Sequence, residues 1–167
     1  MIPQNFKTYL MEHGADSTKH SGLSLWDHLG GVHRLLQATG CDVDVCNAGL
    51  FHSVYGTQSF KKITVPANHR NEVQHLIGLR AETLVWAFCH LPRPRLFETS
   101  LITGQLDWLD DLEDAQRSSQ QQKETCWADL LAIECANLLE QKVLHPFPNL
   151  ARHAQGLRML DKEGFSV

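Results

Sequence analysis

Apolar residues recur along this chain at the three- and four-residue spacing of amphipathic helices. Leu25, Leu29, Val32 and Leu36 make one stripe, with Ser24 and Asp27 as a capping pair before it and Gly40 as a stop after it. Pro3 suits the first turn of a short helix that runs through Met11 and ends near Gly14, after which the polar loop ADSTKHSG delivers His20. Asp42 caps a third, short helix in which Val45, Ala48, Gly49 and His52 share one face. Tyr55 and Gly56 break that pattern, so SVYGTQSF reads as a loop.

Beyond it, Val73, Leu76, Ile77, Ala81, Leu84, Val85 and Phe88 predict one long helix over 68–90, ended by Pro92 and Pro94. A helix over 121–144 is apolar almost all round, as a buried central element would be. Pro146 and Pro148 close it, and Asn149 is placed to cap a last helix reaching Leu160. Between these, the alternation in ETSLITGQLDWL predicts a small β-hairpin near residues 97–109, and DDLEDAQRSSQQQ a solvated helix or loop. No internal repeat and no Pro-, Gly- or Ser-rich linker divides the chain, so residues 1–167 read as a single all-α helical bundle.

Composition narrows the partners. A net charge of −4 with 20% charged residues offers neither a nucleic-acid surface nor a polybasic membrane patch. No apolar stretch reaches the roughly 20 residues needed to span a bilayer; the richest carries Asp129, Glu134 and Asn137. Five cysteines, at 41, 46, 89, 126 and 135, form no CxxC pair and follow no secretory signal, so they read as reduced thiols of a cytoplasmic protein. A small-molecule substrate is the expected partner, and the apolar run around Trp86 and Phe88 suits a homodimer contact as readily as a core.

Ten histidines is a high count for this length, and histidine is the commonest metal ligand. Helical spacing puts His28 on the inward stripe with Leu25 and Val32, and puts His52 at the inward end of its helix. Asp129 interrupts an apolar helix, and a buried carboxylate is costly unless it is paired or bound to metal. Two histidines and one carboxylate from three helices would form a divalent-metal site for iron, manganese or zinc.

The segments DHLGGVHRLL, AGLFHSVYGT and CWADLLAIECANLL, over roughly residues 20–140, resemble the order of elements in the HD-domain superfamily, above all its guanosine-polyphosphate hydrolase branch. HSG followed by LFHSVYGT also resembles a group of small HD-like proteins of unknown function. The resemblance implies an HD-like helical bundle with His28, His52 and Asp129 as metal ligands. Ser53 stands where the superfamily has its name-giving aspartate. Without that bridging carboxylate one metal is expected rather than two.

Other residues are assigned around this centre. His20 is a fourth ligand or a contact for an anionic substrate group, against the alternative of an exposed loop histidine. Ser53, Tyr55 and Thr57 offer hydroxyls to a substrate or to local turns. Glu134 and Asn137 suit a general base and a substrate amide contact, although Glu134 equally suits a core carboxylate paired with Arg70 or Arg80. His33, His69, His75 and His90 fall outside the site. The expected function is a metal-dependent hydrolase of a small phosphorylated molecule, with a non-haem iron oxygenase and a non-catalytic ligand- or partner-binding module as alternatives.

Overall fold

The computed structural model describes residues 1–20, 22–110 and 120–161. Among these, eight α-helices surround one core: α1 (Gln4–Glu12), α2 (Leu25–Ala38), α3 (Val43–Phe51), α4 (Arg70–Ile77), α5 (Leu79–His90), α6 (Arg95–Thr103), α7 (Gln120–Glu140) and α8 (Pro148–Gly156). Two-residue strands β1 (Lys19–His20) and β2 (Leu23–Ser24) pair antiparallel ahead of α2, with Lys19 opposite Ser24 and His20 opposite Leu23. The chain is thus all-α with one small hairpin.

The expected caps set the first helices. Ser24 Oγ accepts from Asp27 N at 3.1 Å and donates to Asp27 Oδ2 at 2.6 Å, while Asp42 Oδ1 accepts from the backbone of Asp44 and Val45. The stripe Leu25, Leu29, Val32, Leu36 is fully buried. Gly49 lets α3 lie hard against α2, since a Cβ there would stand 2.2 Å from Leu36 Cδ1.

Four expectations about local structure are corrected. The single helix over 68–90 is a 3-10 turn (Ala67–His69) followed by α4 and α5, broken at Gly78, whose φ of 92° no helix admits. Residues 97–109 hold no hairpin: α6 buries Phe97 and Ser100 and ends at left-handed Gly104, with a 3-10 turn at Asp107–Leu109 after it. Packing of that face overrode the short alternation, and the hairpin lies at 19–24 instead. Asn149 does not cap α8; the Glu98 carboxylate does, accepting from the backbone of Asn149 and Leu150 and from Asn149 Nδ2 at 2.8–3.0 Å. Finally, α7 stops at Glu140 and α8 at Gly156, short of the predicted ends. The solvated segment read over DDLEDAQRSSQQQ falls mostly on 111–119, outside the described residues.

Phe88 is wholly buried, so that part of the Trp86–Phe88 run serves the core. Trp86 is half-buried beneath the Arg70 guanidinium, 4.0 Å from its ring centroid. No helix among the described residues is long and apolar enough to cross a membrane.

Candidate functional site

Helices α2 and α3 bring His28 and His52 together in the core, 0% and 1% exposed, with their Nε2 atoms 3.2 Å apart. Each ring is held from behind. His52 Nδ1 lies 2.8 Å from the Gly49 carbonyl, which can only accept, so Nδ1 carries the proton and Nε2 the lone pair. His28 Nδ1 donates to Glu140 Oε2 at the end of α7. Gly31 makes room for that contact: a Cβ there would stand 2.7 Å from Glu140 Cγ. Burial, reinforced by neighbouring His28, pushes the His52 pKa well below its ordinary value, so His52 stays neutral.

His20, delivered by β1, stacks on His28 with ring centroids 4.1 Å apart and planes 9° off parallel. It is buried, not an exposed loop histidine. Burial first, and the adjacent His28 second, lower its pKa to about 4. Phe60, from the loop after α3, closes over it at 4.6 Å.

In front of the histidines lies a cavity of about 410 Å³. His20, His52, Ser53, Thr57, Glu134 and Asn137, all among the sequence candidates, line it together with Lys19, Phe60 and Arg93. Glu134, Asn137 and Leu138 come from one face of α7, at spacings of three and four, and Gln141 follows in the turn just after it. Glu134 is fully buried, and its partner is neither Arg70 nor Arg80: Arg93 Nη1 donates to Glu134 Oε2 at 2.7 Å. Burial raises the Glu134 pKa, opposed by Arg93 and by the Asn137 side chain. Among the described residues, Glu134 Oε1, Ser53 Oγ and His20 Nδ1 are buried without a hydrogen-bond partner.

Two predicted site residues are elsewhere. Tyr55 points away from the cavity and donates to Glu82 Oε1 at 3.0 Å, in a buried cluster where Arg70 and Gln74 also donate to Glu82. Asp129 lies five residues before Glu134, about 140° around α7. It faces outward to Arg80, whose Nη2 donates to Asp129 Oδ2 at 2.7 Å while Nη1 serves Asp42 and Asp44. The carboxylate that the sequence assigned as third ligand is therefore an ion-pair partner, half-buried and not beside His28 and His52. Among the described residues no group of three or more His, Cys, Asp or Glu side chains is arranged to hold a metal ion.

The residues missed were Glu140, Arg93, Lys19 and Phe60. Arg93 lies between Pro92 and Pro94, outside any helical stripe, and nothing local marks Glu140 as the partner of a histidine 112 residues away.

The N-terminal part of this arrangement matches a family model described as a domain of unknown function, DUF6817, over residues 9–93. The chain belongs to the DUF6817 family. No curated protein and no solved structure matches it. The span that matches DUF6817 contains the histidine pair, His20, Ser53, Thr57 and Arg93, whereas the α7 wall of the cavity and Glu140 lie outside it.

Proposed function

We propose that this DUF6817 protein is an HD-type, metal-dependent hydrolase of a small phosphorylated molecule, with a mononuclear centre held by the Nε2 atoms of His28 and His52. The single observation carrying this reading is the facing of those two atoms. Nδ1 of each ring is engaged with an acceptor, so the two Nε2 atoms, and any lone pairs they carry, face each other at 3.2 Å. Lone pairs so placed repel unless a cation lies between them. Two imidazole nitrogens bound tetrahedrally to one ion at about 2.0–2.1 Å stand about 3.3 Å apart, so the spacing fits. The backing of each ring by a carboxylate or a carbonyl is also what metal-bound histidines require.

A divalent ion of iron, manganese or zinc would lower the pKa of bound water and polarise the scissile group. The chain's own contribution is positional. Glu140 and the Gly49 carbonyl fix the Nδ1 protons and aim the rings. His20 and Phe60 roof the pair and exclude water, and Lys19 offers a positive charge to an anionic group at the cavity wall. Ser53 in place of a bridging carboxylate favours one ion over two. Five unpaired thiols support a reducing, cytoplasmic setting.

A second reading follows from the absence of a three-ligand group among the described residues: the cation is a proton shared by the two imidazoles, and the cavity binds without turnover. Elemental analysis separates the two. Wild type and Asp129→Ala should carry stoichiometric metal, while His28→Ala and His52→Ala should not. A wild-type protein that neither retains metal nor takes up iron(II), manganese(II) or zinc would leave only the second reading.

A further inference from the structure

We infer that the cavity recognises a hydroxyl-rich phosphate ester of about monosaccharide size, with its hydroxyls against Glu134 and Ser53 and its anionic group toward Lys19. The inference rests on reading this cavity as the substrate site and adds the class of ligand.

Glu134 is 0% exposed and Ser53 1% exposed, yet Oε1 of one and Oγ of the other make no hydrogen bond among the described residues. Buried polar atoms are nearly always paired, so two orphans on one cavity mark where a ligand's polar atoms belong. Their chemistry fixes what those atoms are. Glu134 already gives Oε2 to Arg93, and Oε1 remains as an unpaired acceptor that calls for a donor rather than a second acceptor. Ser53 can donate and accept. A neutral group that donates to one and exchanges with the other is a hydroxyl, and Asn137 on the same α7 wall adds a further amide to that set.

The remaining walls agree. Phe60 and Phe147 present apolar surface suited to the C–H face of a polyol ring. Lys19 is exposed, lies on the hairpin wall rather than the α7 wall, and has no ion-pair partner among the described residues. The volume, 410 Å³, sits low in the range of about 300–1,000 Å³ for small-molecule sites, which favours a monosaccharide scale over a dinucleotide.

The test is calorimetric titration of the protein as purified with glycerol 3-phosphate, ribose 5-phosphate and glucose 6-phosphate. Butyl phosphate serves as the charge-matched control without hydroxyls, and glucose as the control without charge. At least one hydroxylated ester should bind about tenfold more tightly than butyl phosphate and than glucose. Ser53→Ala, which removes one buried atom and leaves the core intact, should weaken that ester about five- to tenfold. Lys19→Ala, at an exposed position, should weaken the ester and leave glucose unchanged. Glu134→Gln should abolish the preference for hydroxyls, with circular dichroism reporting whether Arg93 tolerates the loss of its partner.

Equal affinity for butyl phosphate and every hydroxylated ester, no binding of any ester, or an unchanged affinity in Ser53→Ala would each overturn the inference. Metal content measured on the same preparations keeps the two readings apart. Metal-free protein that prefers hydroxylated esters sinks the hydrolase and keeps the ligand class, and metal-loaded protein indifferent to hydroxyls does the reverse.

Discussion

His28 and Glu140 are 112 residues apart in sequence, yet the His28 Nδ1 proton is held by Glu140 Oε2 where α7 crosses α2. This contact decides which nitrogen of His28 faces His52, and it exists because residue 31 has no side chain. Gly31→Ala should therefore act at a distance from its own position. The new Cβ drives Glu140 aside, at a cost typical of overpacking, about 1–3 kcal/mol, and frees the His28 ring. Thermal unfolding should fall accordingly, and the metal content of Gly31→Ala should drop with that of Glu140→Ala.

Asp129→Asn separates the assigned carboxylate from the proposed site. Its partner Arg80 has 42% of its side chain exposed and keeps two other carboxylates, so the loss should be at most about 1 kcal/mol. Metal content and ester affinity should match wild type. A loss of metal in this variant alone would refute the placement of Asp129 outside the centre.

Tyr55→Phe removes one donor from buried Glu82, which retains Arg70 and Gln74. Chemical denaturation should register about 1 kcal/mol, the net worth of one hydrogen bond, with ligand affinity unchanged. Glu82→Ala is the severe variant, since it takes a wholly buried acceptor from Tyr55, Arg70 and Gln74 at once and should cost about 3–5 kcal/mol.

His33 supplies part of the pH dependence, beside His20 and His52, whose pKa values are also lowered by burial. It is 4% exposed, neither ring nitrogen has a partner among the described residues, and burial, aided by the nearby N-terminal amine and Arg34, lowers its pKa to about 4. The unfolded chain titrates near 6.5, so between these values the unfolded state binds the proton and the folded state does not. Stability is fully present above pH 6.5 and falls as pH drops toward 4, by up to about 3 kcal/mol from this residue. His33→Leu should flatten that acid limb and leave stability at pH 7 equal or higher. A limb of unchanged slope in denaturation curves from pH 7 to 4.5 would contradict it.

Much of the site was legible because it lies on regular stripes. His28 and His52 each extend an inward helical face, and Glu134 and Asn137 share one with Leu138. Asp129 failed for the same geometric reason. It sits in an equally apolar stretch, but its azimuth turns it to Arg80, and on a helix apolar nearly all round the sequence cannot say which side meets the histidines. Gly78 hid in a pattern whose period continues across it, because α4 and α5 bury their faces toward the same core.

Local sequence determined α1, α2, α3, α7 and α8, the early caps and the inward direction of two histidines, since periodicity and capping act within a few residues. Tertiary structure alone decided that Glu140 orients His28, that Arg93 neutralises Glu134 and that Asp129 leaves for Arg80. These pairings join residues 41 to 112 positions apart, and only packing of the helices brings such distant charges within hydrogen-bond reach.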